Sequence, residues 1–167
     1  MIVAQGERVA LRRIEASDLP QCAPHIYTLS IQEPLTDLTR VEAVFAETGF
    51  WTEDAGAVGI AVDVRLVGTL QFYRGGPGFH GYEIGYLIHT EADRGRGYAS
   101  EALRLFGDLI LRERPTCHRL QLIIETWNNA SARLAEACGY VREGVMRRAG
   151  YSAELPEDCW LYSRIRP

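Results

Sequence analysis

Residues Tyr82 to Leu111, YEIGYLIHTEADRGRGYASEALRLFGDLIL, constrain the fold of this chain more than any other stretch. They read as an apolar strand that passes through a turn rich in glycine and arginine into an amphipathic helix. Tyr82, Ile84, Tyr86, Leu87 and Ile88 supply the aromatic and branched residues of a strand buried on both faces. From Tyr98 the period changes. Ala99, Ala102, Leu103, Phe106, Leu109 and Ile110 recur at helical spacing until Pro115 closes the segment. The junction is Arg94-Gly95-Arg96-Gly97. The first amides of a helix lack intrahelical partners and its macrodipole is positive there, so an anion gains hydrogen bonds and charge stabilisation together. Glycines let the ligand approach the backbone, and Arg94 and Arg96 add charge-assisted contacts that suit phosphate.

Phosphate loops of different families share this logic and are separated by spacing. The chain has no G-x-x-x-x-G-K-[ST], and a dinucleotide fingerprint needs glycine directly after the strand and Gly or Ala at Ser100. The pattern Q/R-x-x-G-x-G/A is met by Arg94, Gly97 and Ala99. After a strand at Arg119 to Thr126, the pattern N-x-x-[SA]-x-x-L-x-x-x-x-G-[FY]-x-x-x-G is met by Asn128, Ser131, Leu134, Gly139, Tyr140 and Gly144. In this order, one helix and one strand apart, the two patterns resemble the signatures of the GNAT superfamily of N-acetyltransferases, closest to its RimJ/RimL-type branch. The resemblance runs from about Val9 to the end of the chain.

The resemblance implies an α/β (α+β) GNAT fold over residues 1–167. Its mixed, mostly antiparallel sheet would have about six to seven strands, splayed between the fourth and fifth and flanked by about four helices. It implies acetyl-CoA as co-substrate, no metal, and an amine acceptor that attacks directly within a ternary complex. That acceptor is a protein N-terminus, an amino acid, or an amine-bearing small molecule or antibiotic. Carried onto this chain, Leu87, Ile88 and His89 lie along the pantetheine arm. Arg94, Gly95, Arg96, Gly97, Tyr98, Ala99 and Ser100 hold the diphosphate, and Asn128, Ser131 and Arg133 the far side of the cofactor.

Acyl transfer to an amine needs a neutral nucleophile. A lysine-type amine has a reference pKa of about 10.4 and an α-amino group one near 8, so the demand for a base depends on the acceptor. Glu83 alternates with Gly85 and Leu87 on the central strand, where a carboxylate can take the proton directly or through water. Glu125, His80 and His89 are the competing bases, and an ion pair at the core edge is the plain structural alternative for Glu83. The departing thiolate is the other need. Many relatives carry a tyrosine donor where this chain has Ala135, which leaves Ser131, or Tyr140, as donor. Ser131 in a first helical turn also serves simply as a cap. A thiol pKa of roughly 8.5 makes a dedicated acid helpful rather than obligatory.

For the acceptor, the resemblance points to Tyr27, Glu33, Trp51, Phe72, Tyr73, Glu83, Trp127 and Trp160, although aromatics serve a core equally well. Trp127, immediately before Asn128, suggests an acceptor with a flat or apolar group. A non-catalytic acyl-CoA-binding regulatory module is the alternative in keeping with Ala135. A plain nucleotide-binding domain leaves Asn128 to Gly139 without a role.

With 167 residues, 47% apolar and 24% charged, the chain has the size and balance of one domain. A net charge of -4 argues against coating nucleic acid or an anionic membrane by bulk charge. Cys22, Cys117, Cys138 and Cys159 form no C-x-x-C pair, so neither a zinc site nor a disulfide framework is expected, and a cytoplasmic location is. The resemblance also suggests a homodimer. Elsewhere the pattern predicts a strand at Val9–Ile14, then a helix from Ser17-Asp18 that is interrupted at Pro24. A second helix has Thr39 and Glu42 as its capping box and Gly49 as its end. A hairpin of Ala57–Asp63 with Leu66–Tyr73, a helix at Ala130–Cys138 and two C-terminal strands complete the set.

Overall fold

Continuous apolar runs in the central strands build a sheet that the helices cover on both faces. The computed structural model describes residues 1–22, 25, 37–75, 79–150 and 154–167. The strands are Ile2–Gln5 (β1), Ala10–Arg13 (β2), Ala55–Val62 (β3), Arg65–Arg74 (β4), Gly81–Ile88 (β5), Arg119–Glu125 (β6), Val141–Met146 (β7) and Cys159–Ile165 (β8). They form one sheet in the order β1-β2-β3-β4-β5-β6-β8-β7. Every pair is antiparallel except β5 with β6, which the helix Tyr98–Glu113 (α3) connects. The other helices are Leu19–Cys22 (α1), Leu38–Thr48 (α2) and Asn129–Ala137 (α4). None among the described residues is long and apolar enough to cross a membrane.

The main core lies under α3 and α4. Val58, Ile60, Leu70, Phe72, Tyr82 and Ile84 from β3 to β5 meet Leu103, Phe106, Leu109 and Ile110 of α3 and Ala132 and Ala135 of α4. Each large apolar side chain buried there stabilises the fold by about 1.5–3 kcal/mol relative to exposure. A smaller cluster on the opposite face joins Ile14, Leu19, Cys22, Val41, Phe50, Ala57 and Leu66.

The sheet has eight strands rather than six to seven. The strand missing from the sequence expectation is β1, too short to show a period of its own. It forms by pairing Gln5 with Ala10 across a turn in which the Gly6 amide donates to the Val9 carbonyl at 2.9 Å. The splay expected between the fourth and fifth strands therefore falls between β5 and β6. The cap of α2 also differs: the N-cap is Asp37 rather than Thr39, and its carboxylate accepts the Thr39 amide at 2.9 Å. Gly49 ends that helix in the left-handed region, as expected. Before α1, a short 3₁₀ turn at Ala16–Asp18 is capped by Glu15. The Asp18 carboxylate accepts the Glu15 amide at 2.8 Å and both terminal nitrogens of Arg12, at 2.6 and 2.8 Å. The rest of the predicted first helix, with Pro24, lies outside the described residues apart from His25.

One feature of the sheet positions the site. β5 and β6 pair only at Gly81–Arg119, Tyr82–Leu120 and Glu83–Gln121, whereas β6 is held along its whole length by β8 on its other side. Beyond Glu83 the two strands part into a cleft. At the closed end a Cβ on Gly81 would stand 2.3 Å from the Arg119 carbonyl oxygen, so the close approach of the two backbones requires glycine. Gly81→Val should force the strands apart at their junction and cost about 1–3 kcal/mol. The measurement is thermal or urea unfolding; an unchanged midpoint would show that the junction does not depend on this approach.

Candidate active site

The open end of the cleft lies beside the loop that leads into α3. Gly95 and Gly97 both take left-handed backbone angles, with φ of 70° and 79°, and Gly97 is the N-cap. Gly97 makes no side-chain cap, so the amides of the first turn, from Tyr98, Ala99 and Ser100, remain available to a ligand. Arg94, Gly95 and Arg96 are exposed. The loop is braced from below. Asp93, 5% exposed, accepts both terminal nitrogens of Arg65 at 2.7 Å and the Thr90 hydroxyl at 2.8 Å. These bonds hold the Asp93 carboxyl well below the usual carboxylate range. Arg96 Nε donates to the Ala92 carbonyl at 2.8 Å, which orients that side chain.

A residue outside both sequence patterns completes this end. The Arg8 guanidinium, from the β1–β2 turn, donates to the Arg96 carbonyl at 3.2 Å and would meet a Cβ placed on Gly97 at 2.4 Å. Glu101 of α3 fixes it by accepting the Arg8 amide at 2.9 Å. Arg8 has no local signal, because a lone arginine in a turn reads as solvated surface.

Along the cleft wall the ladder to β4 decides which backbone groups are free. The His89 amide donates to the Val67 carbonyl at 2.9 Å. By strand alternation the polar groups of Leu87 pair with Thr69 of β4, while those of Tyr86 and Ile88 turn away from β4 into the cleft. Of the three residues expected along a pantetheine arm, Ile88 is the one whose amide faces the opening. The Leu87 side chain is 37% exposed because the strands part beside it, so β5 is buried on both faces only over its first half.

At the closed end sits Glu83, 3% exposed on the face opposite α3. Tyr73 donates its hydroxyl to Glu83 Oε1 at 2.9 Å, and Gln121 Nε2 donates to Oε2 at 3.3 Å. Burial raises the carboxyl's pKa, and these two hydrogen bonds oppose the rise without cancelling it. Glu125 is half-buried at the far end of β6, and His80 is exposed before β5. His89 stacks on His25 with ring centroids 4.5 Å apart. Its Nδ1 lies 3.1 Å from Gln21 Nε2 and its Nε2 3.3 Å from Thr69 Oγ1, and burial lowers its pKa to about 4. His89 is neutral at physiological pH and bonded through both nitrogens.

On the face toward α3, the other wall is the start of α4. Asn128 caps the helix by accepting the Ser131 amide at 3.1 Å. Ser131 Oγ lies 2.5 Å from the Tyr86 hydroxyl. Arg133 is exposed, Ala135 is wholly buried, and the Tyr140 hydroxyl is buried without a partner among the described residues. Among the described residues no group of three or more His, Cys, Asp or Glu side chains could hold a metal ion.

Residues 8–141 match the family described as the acetyltransferase (GNAT) domain. The chain is a GNAT acetyltransferase family member. It is 34% identical over 108 residues to the uncharacterized N-acetyltransferase YoaA of Bacillus subtilis, covering 62% of this chain and 57% of that protein. It is 31% identical over 110 residues to the probable N-acetyltransferase YjcK of the same organism, covering 64% and 59%. The matched segments thus span less than two thirds of these relatives. Among solved structures, a GNAT-family acetyltransferase from Bacillus anthracis superposes with a TM-score of 0.75 at 24% identity, over 99% of this chain and 98% of that one. RimL, a ribosomal L7/L12 alpha-N-protein acetyltransferase in complex with coenzyme A, gives 0.77 at 21%, with the same coverage. The spermidine/spermine N-acetyltransferase SpeG of Vibrio cholerae gives 0.78 at 17%, over 95% and 92%. These structural likenesses establish the GNAT fold.

Within this GNAT fold the residues named for the acceptor separate into two groups. Tyr73 and Glu83 stand together at the closed end of the cleft, and Trp127, 63% exposed, follows β6 at its mouth. Trp51 packs edge-on to the buried Phe72 with the Arg13 guanidinium 3.7 Å above its ring. Trp160 is half-buried under Arg142. Tyr27 and Glu33 lie outside the described residues. A Cβ placed on Gly85, between Glu83 and Leu87 on the face opposite α3, would meet nothing nearer than Gln71 Cγ at 3.7 Å. Gly85→Leu should therefore fold with stability within about 1 kcal/mol of the parent. It should lower kcat/KM for acetyl transfer on the order of a hundredfold by filling the space beside Glu83. Unfolding midpoints and steady-state kinetics on one preparation test both halves, and unimpaired kinetics would show that this face is not used.

Proposed function

We propose that this chain is an acetyl-CoA-dependent N-acetyltransferase that moves an acetyl group to a primary amine by direct attack in a ternary complex. The observation that carries the reading is the placement of Glu83, a buried carboxylate with a raised pKa, at the closed end of a cleft whose open end carries the anion-binding loop. The loop fits a diphosphate: it has free helix amides, two left-handed glycines and the Arg8 guanidinium beside them, and it carries the exposed Arg94 and Arg96. Acetyl-CoA supplies the activated acetyl group. The amides of Tyr86 and Ile88 offer the backbone groups that an extended amide-bearing arm can pair with, as an added strand would.

Glu83 receives the proton that the acceptor ammonium must lose. A raised carboxyl pKa makes its ionised form a stronger base. The acceptor enters from the face that carries Tyr73, Gly85 and Glu83, with Trp127 offering a flat apolar surface at the mouth. This favours an acceptor with an apolar or planar group beside its amine. N-terminal peptides, amino acids, polyamines and amine antibiotics are the classes to compare, since the similar folds of RimL and SpeG carry names with different acceptors.

The test is thiol release from acetyl-CoA across that panel, with an Arg96→Ala/Gly97→Ala double variant as control. Turnover on one class, lost in the double variant, is the expected result. Acetyl-CoA binding without turnover on any class would favour a non-catalytic acyl-CoA-binding module instead. With an acceptor in hand, Glu83→Gln should lower kcat/KM by about 10²- to 10⁴-fold. The parent's rate should rise with pH through a carboxylate pKa above the ordinary value, since the active form is the ionised one. Glu83→Gln should lack that limb, and an unchanged acid limb would exclude Glu83 as the base.

A further inference from the structure

Ala135, wholly buried on α4, stands where many GNAT relatives carry a tyrosine donor, so no hydroxyl reaches the cleft from that turn of the helix. A tyrosine hydroxyl reaches the same helix from the opposite wall. Tyr86 of β5 places its phenol oxygen 2.5 Å from Ser131 Oγ and 3.5 Å from the Ser131 carbonyl oxygen. The contact spans the gap between β5 and the start of α4, just where the β5–β6 ladder is absent.

Either hydroxyl can donate across this contact, and their relative acidity decides between them. The carbonyl can only accept, and burial pushes the Tyr86 phenol up to about 12, so it keeps its proton. The phenol is the stronger acid of the two hydroxyls and so the better donor across the 2.5 Å contact, and both oxygens within its reach belong to Ser131. The Ser131 amide is already held by Asn128 Oδ1. Ser131 Oγ has no other partner among the described residues, so its own proton is free to point into the cleft.

We propose that Tyr86 is a positioning residue that fixes the Ser131 hydroxyl as hydrogen-bond donor to the sulfur of acetyl-CoA, in place of the tyrosine that Ala135 replaces. The inference rests on the acetyltransferase reading above. The amine nitrogen bonds to the acetyl carbon and the C–S bond breaks with its electron pair on sulfur. Glu83 passes the proton of the acceptor ammonium to water before attack, and the second proton, lost from nitrogen as the amide forms, leaves by the same carboxylate and water. Sulfur departs as a thiolate stabilised by the Ser131 O–H and takes a proton from water when coenzyme A leaves. Neither hydroxyl changes its protonation state over the cycle. Strand alternation puts Glu83 and Tyr86 on opposite faces of β5, so the nucleophile's base and the leaving group's donor flank the cleft from opposite sides.

The experiment titrates the thiol of bound coenzyme A by the ultraviolet absorbance of its thiolate, which needs no acceptor. In the parent the bound thiol should titrate below the free value of roughly 8.5. Tyr86→Phe and Ser131→Ala should each return it toward that value, and the double variant should match Ser131→Ala alone. Ser131→Thr, which keeps the hydroxyl, should retain the depressed value. With an acceptor available, Tyr86→Phe should lower kcat about tenfold, the size of one hydrogen bond, with little change in either KM. Equal thiol titrations in the parent and Tyr86→Phe would overturn the proposal, as would additive effects in the double variant. A depressed thiol titration that depends on both hydroxyls, without turnover on any amine, would refute the enzyme reading and leave this pair as a thiolate site.

Discussion

The parallel ladder between β5 and β6 stops at Glu83–Gln121, and the site depends on that interruption. A strand in a sheet interior normally spends its backbone groups on both neighbours. β5 does so only on the β4 side, where pairing runs from Arg74–Tyr82 to Gly68–Ile88, and β6 only on the β8 side. Each strand is thus kept straight by one partner while the other edge is left open. Unpaired backbone groups that water cannot freely reach carry a free-energy cost, so an extended ligand with amides of its own is the natural complement of such an edge. Gly81 lets the closed end form, and the helix that starts at Tyr98 closes the open end with unpaired amides.

The groups around this cleft are not arranged for maximal stability. The folded-state pKa of Glu83 lies above its unfolded value, so the native state binds the proton more tightly. The group therefore favours folding when protonated, and that contribution is lost as pH rises from the unfolded pKa through the raised one. Asp93 has the opposite sign: its lowered folded pKa makes its contribution present above the unfolded value and lost on acidification. The bracing carboxylate favours the fold at neutral pH, and the carboxylate in the cleft opposes it. The destabilising group is the one proposed as the base.

Much of the fold was legible because its signals are local. The start of α3 at Tyr98, the Gly49 terminus and the β3–β4 hairpin each follow from a few neighbouring residues. What escaped depends on partners distant in sequence. β1 exists through β2, Arg8 reaches Gly97 from the turn that joins those two strands, and Tyr86 reads simply as one more aromatic in a strand until Ser131 lies beside it. The free amides along β5 could not be assigned either, since their parity is set by which residue pairs with Val67 on β4. Periodicity gives the face of a side chain but not the direction of the amide.

The environment of Glu83 also depends on a competition across three strands. Arg119, two residues before Gln121 on the same face of β6, is the cation placed to pair with a carboxylate at the closed end. Glu143 of β7 takes it instead, with bonds of 2.8 and 2.5 Å to the two terminal nitrogens, and is itself lowered to about 2. Ser163 donates to the same carboxylate at 2.5 Å. Between the two acids stands Gln121, neutral, whose Oε1 accepts from Arg119 Nε at 3.4 Å while its amide nitrogen donates to Glu83. A direct guanidinium partner would pull the Glu83 pKa down and weaken it as a base. The amide conveys the hydrogen bond without the charge, so desolvation remains the dominant influence on Glu83.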